Sequence, residues 1–91
     1  MSLIDELEQL ETRAREMIES ADEAEKLEAA RVALMGRKGE ITGLMRMMGQ
    51  LSPEERPVLG KRANELRRMV ETLLDSRKAQ LSRAAMRELM A

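Results

Sequence analysis

Apolar residues recur along this chain at helical spacings and form three successive stripes. The first stripe advances by alternating steps of four and three, which predicts a helix over about residues 3 to 19. The second and third advance by seven, and they predict helices over about residues 21 to 49 and 53 to 89. The three stripes consist, in order, of Leu3, Leu7, Leu10, Ala14 and Met17; of Leu27, Leu34, Ile41 and Met48; and of Leu59, Leu66 and Leu73.

Capping signals separate the predicted helices. Ser20 followed by Glu23 fits a capping box, which predicts the start of the second helix. Gly49 can end that helix, and Ser52 can cap the third, with Pro53 in the first helical position. The two long helices are therefore expected to meet at a tight turn over about residues 49 to 52.

Two long helices with seven-residue repeats, joined by a tight turn, are typical of an antiparallel coiled coil. We therefore predict an all-α fold: an antiparallel helical hairpin with a short N-terminal helix packed on its base, covering the free C-terminal part of the last helix. All 91 residues are assigned to one domain. The second helix is expected to continue through the glycines at positions 36, 39 and 43, weakened and open to a local kink.

The composition removes several kinds of chemistry. The chain contains no Phe, Tyr, Trp, Cys or His. It therefore has no disulfide framework and lacks the commonest general base and metal ligand, so we predict no catalytic residue, metal site or cofactor in this chain. Without a secretory signal pattern or a stretch of membrane-spanning length, a soluble cytoplasmic protein with no membrane partner is expected.

The formal net charge of −1 hides a strong separation of charge. Residues 1 to 30 hold ten acids and three bases, whereas residues 31 to 68 hold four acids and nine bases. A basic middle on an elongated helical scaffold is typical of a protein that binds a polyanion, most often nucleic acid. Because no aromatic side chain is present to stack on exposed bases, structured RNA is the preferred partner. The predicted phosphate contacts are Arg37, Lys38, Arg46, Arg56, Lys61, Arg62, Arg67 and Arg68.

The segment Gly36-Arg37-Lys38-Gly39 has two interpretations. Small residues can bring a helical backbone close to a neighbour while the two cations face a phosphate backbone. Close helix packing with solvated Arg and Lys explains the same residues. A nucleotide-binding loop is not predicted, because the preceding strand and the following Ser or Thr are missing. Arg37 occupies the stripe position between Ala30 and Leu44, so its guanidinium is expected to extend outward or to find a partner.

Two other functions stay open from the residues alone. The uninterrupted seven-residue repeats and the methionines Met45, Met47 and Met48 are compatible with a protein-interaction or oligomerisation coiled coil. Core packing explains these methionines as well. Binding to a membrane surface is less favoured, because Trp and Phe are absent.

Three segments taken together indicate a family. They are residues 31 to 42 (R-V-A-L-M-G-R-K-G-E-I-T), residues 44 to 46 (L-M-R) and residues 51 to 57 (L-S-P-E-E-R-P), with Gly49, Gly60 and Asn64. In this order they resemble the N-terminal coiled-coil arm of the bacterial phenylalanyl-tRNA synthetase alpha subunit, over nearly the whole chain. The chain departs from that family at Leu34, where an aromatic is frequent, and at Ser52, where a proline is frequent.

The resemblance implies an arm that holds tRNA(Phe) during protein biosynthesis. A separate catalytic domain, which is not in this chain, would attach phenylalanine with ATP and magnesium. The partners implied are tRNA(Phe), the catalytic remainder of the alpha subunit and the beta subunit. The isolated chain is therefore expected not to be an enzyme, although it is part of an aminoacyl-tRNA ligase.

Overall fold

A computed structural model describes residues 3 to 90, and these form four α-helices with no strand among them. Helix α1 spans Leu3–Ser20, α2 spans Ala24–Met35, α3 spans Glu40–Met47 and α4 spans Arg56–Met90. One turn of 3-10 helix, Met48–Gln50, follows α3. The predicted all-α hairpin with a short N-terminal helix is confirmed. The molecule is a rod of 57 × 20 × 19 Å, and the 35 residues of α4 account for about 52 Å of its length.

The second predicted stripe lies entirely in the core. Leu27, Leu34, Ile41 and Met48 are each at most 6% exposed, and they pack from α2, α3 and the 3-10 turn into one core with α4. These four side chains keep their seven-residue spacing across the three elements.

The stripes on α1 and α4 drift from the predicted positions near their ends. Leu74 is buried where Leu73 was predicted, and Ile18 is buried where Met17 was predicted. An α-helix has 3.6 residues per turn, so a straight helix falls out of step with strict steps of seven and needs an occasional extra step of four. Leu73 and Met17 are half-buried at the edge of the core.

Helix α1 lies parallel to the first half of α4. Near one end of the rod, Ile4 shares a surface groove with Val58. Toward the other end, the Arg77 Nε donates a hydrogen bond of 3.0 Å to the backbone carbonyl of Ala21. The expectation that the first helix covers the free C-terminal part of the last helix is therefore wrong. The reason is that α4 offers leucines and Val70 up to Leu74, whereas residues 75 to 80 (D-S-R-K-A-Q) offer no large apolar side chain.

The predicted continuous helix over residues 21 to 49 is two helices, α2 and α3, separated by residues 36 to 39. Gly36 has φ −67° and ψ 175°, and Gly39 has φ −69° and ψ 159°, so the backbone is extended at both glycines. A glycine lowers the cost of leaving the helix, and two within four residues end α2. Gly43 lies within α3, as expected.

The predicted capping box at Ser20 is wrong. The Ser20 hydroxyl donates to the carbonyl of Met17 at 3.2 Å, and Ser20 is the last residue of α1. Helix α2 begins at Ala24 after Glu23, without a side-chain cap. Ala21 is buried and its backbone is bonded to Ile18 and to Arg77, so the connection is organised by packing on α4.

The turn at the tip of the hairpin is capped by Ser52, as predicted. The backbone N–H of Glu55 donates to the Ser52 hydroxyl at 3.3 Å. Helix α4 starts at Arg56, three residues later than the predicted start at Pro53. The Arg56 N–H donates to the carbonyl of Ser52 at 3.0 Å, but Pro57 has no N–H to donate to the carbonyl of Pro53, so the helical hydrogen-bond series is interrupted there and continues with the Leu59 N–H and the carbonyl of Glu55.

Candidate nucleic-acid interface

Arg37 and Lys38 project from the connection between α2 and α3. Both side chains are exposed, and neither forms a hydrogen bond or ion pair with another residue between 3 and 90. Below them, the carbonyl of Gly36 accepts two hydrogen bonds of 2.8 Å each, one from the Gly39 N–H and one from the Thr42 hydroxyl. The two cations therefore lie on a backbone turn that is fixed by hydrogen bonds, and their charged ends are in solvent. We call residues 36 to 39 the two-glycine turn.

Three more basic side chains are also exposed and without an ion-pair partner among the described residues. Arg46 lies on α3, on the side away from the buried Ile41 and Leu44. Lys61 and Arg68 are exposed on α4, seven residues and thus about 10 Å apart along its outer face. Within the part of the chain that the structure describes, none of the three forms an ion pair. These positions leave all three side chains accessible to a polyanion.

Arg56 has a different environment. Its Nη2 donates to the backbone carbonyl of Gly49 at 3.1 Å and to that of Leu51 at 3.3 Å. Both carbonyls belong to the tip turn, so the guanidinium holds the turn closed. Arg56 thus has a structural task that the sequence did not indicate.

Arg62 and Arg67 also differ from the free cations. The Arg62 Nη2 lies 3.7 Å from the Glu8 carboxylate of α1, so this side chain points toward the acidic helix. The Arg67 Nη1 lies 3.5 Å from Glu71, while its Nε is buried without a hydrogen-bond partner. The stem of Arg67 is covered and its tip reaches out, with 43% of the side chain exposed. Outward extension from a covered stem, predicted for Arg37, is thus seen at Arg67.

The eight predicted residues fall into two groups according to their contacts. Arg37, Lys38, Arg46, Lys61 and Arg68 are free of acidic partners among residues 3 to 90, whereas Arg56, Arg62 and Arg67 are engaged within the fold. Contact of the eight residues with RNA stays a prediction.

Two acidic side chains form ion pairs between helices. Glu8 of α1 pairs with Arg62, and Glu40 of α3 pairs with Arg13 of α1 at 3.1 Å. These two ion pairs join α1 to both α3 and α4.

Resolved pKa shifts occur near the start of α2. The hydrogen bond from Lys26, 2.8 Å long, and the charge of Lys26 lower the pKa of Asp22, and the same contact raises the pKa of Lys26. Arg31 lowers the pKa of Glu28 in the same way, and Glu28 raises the pKa of Arg31. All four groups are in solvent, so these pairs contribute little to stability.

Sequence reasoning missed two residues that shape the fold near these surfaces. Thr42 bonds the carbonyl of Gly36, and a G-x-x-G-x-x-T spacing is the local signal that could have indicated it. Arg77 bonds the carbonyl of Ala21, which is 56 residues away. No local pattern reports a contact across that separation.

Residues 3 to 90 contain neither a membrane-spanning helix nor a cluster of metal-ligating side chains. None of the helices is long and apolar enough to cross a membrane. No group of three or more acidic side chains is arranged so that it could hold a metal ion.

The fold and the charge distribution define the class: an elongated helical arm that carries free cations along its middle. Residues 22–90 match the family described as aminoacyl tRNA synthetase class II, N-terminal domain. The chain belongs to this family, and specifically to the N-terminal domain of the bacterial phenylalanine–tRNA ligase alpha subunit.

Curated relatives support this assignment along the chain. The phenylalanine–tRNA ligase alpha subunit of Thermotoga neapolitana is 45% identical over 93% of the chain and 26% of the relative. That of Lactiplantibacillus plantarum is 43% identical over 100% of the chain and 26% of the relative. That of Bacillus cytotoxicus is 42% identical over 93% of the chain and 25% of the relative. The chain thus spans about a quarter of the length of these relatives.

Proposed function

We propose that this chain is a tRNA-binding arm. It would hold tRNA(Phe) while a catalytic domain outside this chain, working with the beta subunit, attaches phenylalanine with ATP and magnesium. One observation carries the proposal: Arg37 and Lys38 are exposed on the hydrogen-bonded two-glycine turn, without an acidic partner among the described residues. Exposed cations held at a defined place are suited to the phosphates of a structured RNA.

The charge layout supports RNA rather than a general acidic partner. The free cations are spread along the rod from Arg46, near the tip, to the two-glycine turn and to Arg68 on α4. A nucleic-acid backbone offers phosphates at regular intervals over such a length, so several contacts can form at once. The absence of aromatic residues in the sequence favours contact with phosphates and shape over stacking on bases.

We also propose that the isolated chain does not aminoacylate tRNA. Its sequence provides no His or Cys, and no aromatic side chain that could line a pocket for phenylalanine. An aminoacylation assay with ATP, magnesium, phenylalanine and tRNA(Phe) tests this directly. Formation of charged tRNA by the purified chain would contradict it.

Binding is tested by titrating the chain into labelled tRNA(Phe) and into a non-cognate tRNA at about 50 and 200 mM salt, the range over which phosphate-driven affinity falls steeply. Binding to tRNA that weakens with salt supports the proposal. A preference for tRNA(Phe) over the non-cognate tRNA would show how much this arm contributes to tRNA discrimination. No binding even at the lower salt concentration would contradict the proposal for this chain.

The double variant R37Q/K38Q locates the contact. We expect weaker binding and a plot of log affinity against log salt that is flatter by about 2, which is about 1 for each lost phosphate contact. Helicity should not change, because both side chains are in solvent. The matched control is R83Q/R87Q, which removes the same charge from two exposed positions in the last part of α4. Equal losses in both double variants would indicate a diffuse effect of net charge.

Of the two supports for the oligomerisation alternative, the exposed methionines Met45 and Met47 remain, and the seven-residue stripes do not. Both seven-residue stripes were candidates for contact with a second copy, but Leu27, Leu34 and Leu66 are already buried within one chain. We therefore expect a monomer in sedimentation equilibrium at high micromolar concentration. A dimer that is insensitive to salt would restore the alternative.

A further inference from the structure

Steric contacts leave no room for a side chain at either end of the two-glycine turn. A Cβ atom added to Gly36 would lie 2.5 Å from the carbonyl oxygen of Val32. A Cβ atom added to Gly39 would lie 2.6 Å from the backbone carbonyl of Leu34. Both obstacles are backbone atoms, which cannot move aside as a flexible side chain can. The path of the chain here therefore requires glycine at both positions.

Thr42 fixes the same turn from the first half of α3. Its hydroxyl reaches back over six residues to the carbonyl of Gly36, and the Gly39 N–H donates to the same oxygen. Two donors on one acceptor join the end of α2 to the start of α3. Thr42 is partly buried, so water competes less for this bond than it would at an open surface.

The break changes where Arg37 points. The apolar stripe of α2 and α3 passes through Ala30 and Leu44, both of which are buried, and Arg37 lies midway between them in the seven-residue series. A continuous helix would therefore direct Arg37 toward the core of the hairpin. Because the chain leaves the helix at Gly36, Arg37 is instead exposed next to Lys38. The break places two consecutive cations outside the core.

We propose that Gly36, Gly39 and Thr42 are positioning residues that hold Arg37 and Lys38 outside the helical core as a fixed pair of ligands for backbone phosphates of a structured RNA. This inference rests on the proposed function. It adds that the geometry of the turn, and not only its charge, is needed for binding. None of the three positioning residues carries a charge, so their replacement leaves the net charge of the chain unchanged.

The test replaces the Thr42 hydroxyl and keeps the shape of the side chain. Thr42→Val removes the bond to Gly36, and Thr42→Ser retains a hydroxyl. We expect Thr42→Val to weaken binding to tRNA(Phe) by about three- to tenfold at about 50 mM salt, the effect of misplacing one or two charge-assisted contacts. Thr42→Ser should restore most of the affinity.

A double-mutant cycle separates positioning from stability. In the R37Q/K38Q background, Thr42→Val should have little further effect on binding, because the ligands that it positions are gone. Ile18→Val, a truncation in the core of α1, serves as the stability control and should leave affinity unchanged at temperatures where all variants are folded, as judged by circular dichroism.

Three results would overturn the inference. Equal affinity of Thr42→Val and the unchanged chain would show that the turn does not position the cations. An undiminished loss from Thr42→Val in the R37Q/K38Q background would show that the hydroxyl acts elsewhere. Absence of RNA binding by the unchanged chain would instead reject the proposed function, and this inference with it.

Discussion

The two connections that flank α3 both join helices and each has an arginine within it or directly after it, yet the two arginines have opposite roles. At the tip, Arg56 donates to the carbonyls of Gly49 and Leu51, so the cation closes its own turn. In the two-glycine turn, Thr42 and a backbone N–H satisfy the carbonyl of Gly36, and Arg37 has no such task.

In these two turns, the arginine is available for a ligand only where another group satisfies the local backbone carbonyl. A carbonyl at a helix end needs a donor, and the nearest suitable side chain is recruited. A hydroxyl from Thr42 leaves the guanidinium of Arg37 free, whereas the tip turn uses the guanidinium itself. Charge counts in a sequence do not distinguish these two cases.

The largest expected effect is a difference in the free energy of unfolding between alanine variants of two glycines that lie four residues apart. Gly39→Ala should lower the free energy of unfolding by about 1 to 3 kcal/mol, because its Cβ would meet backbone atoms that must shift. Gly43→Ala should raise it by about 0.5 to 1 kcal/mol, because nothing lies within 4 Å of its added Cβ and alanine favours the helix. Urea unfolding followed by circular dichroism measures both.

The opposite signs make this pair of variants decisive. Both replace glycine by alanine, and both positions belong to the segment between the end of α2 and the end of α3. If both variants gained stability, α2 and α3 would be joining into one helix, as the apolar stripe alone predicts. That result would contradict the extended backbone at Gly39.

The next effect concerns the cap of the tip turn. Ser52→Ala removes the oxygen that accepts from the Glu55 N–H, and we expect a loss of about 1 kcal/mol in the free energy of unfolding. Ser52→Asp should retain most of the stability, because a carboxylate accepts the same bond. Equal losses in the two variants would show that the cap does not stabilise the turn.

A smaller effect compares the two arginines directly. Arg56→Gln should lower the free energy of unfolding by about 0.5 to 1 kcal/mol, because two exposed hydrogen bonds to turn carbonyls are lost. Arg37→Gln should stay within about 0.5 kcal/mol of the unchanged chain, since the side chain is in solvent. For RNA binding the order reverses, with Arg37→Gln the more damaging. Equal effects on stability would remove the distinction between the two turns.

Much of the fold follows from local sequence, and the exceptions have physical causes. The buried series from Leu27 to Met48 and the cap at Ser52 were predictable because periodicity and capping act over a few residues. The break at Gly36 was not, because the stripe continues through it and reports burial rather than backbone path. The position of α1 depends on contacts such as that between Arg77 and Ala21, which no local pattern contains.

The eight basic residues were proposed from the sequence as one set, and the sequence could not divide them into free and engaged cations. The list of eight basic residues came from charge alone, and charge does not say which cations the fold itself engages. Arg62 turns toward Glu8 only because α1 lies along α4. Arg67 is partly covered, with its Nε buried and its Nη1 3.5 Å from Glu71. The separation into free and engaged cations thus required the tertiary structure.

The smallest effect concerns the third connection, between α1 and α2, which has no side-chain cap. There the exposed pairs of Asp22 with Lys26 and of Glu28 with Arg31 lower the pKa of both carboxyl groups. A carboxyl whose pKa is lower in the folded state binds protons more readily when the chain is unfolded, so acid favours unfolding. The contribution is complete above the ordinary carboxyl pKa of about 4 and is lost as the pH falls through the lowered values.

Comparing urea midpoints at about pH 7 and pH 3, we expect D22N/E28Q to lose less stability on acidification than the unchanged chain. Because both pairs lie in solvent, the difference should be small and should shrink in high salt. An equal acid loss in both proteins at low salt would show that these pairs do not stabilise the start of α2, and that packing of Ala21 against α4 is sufficient to hold this uncapped connection.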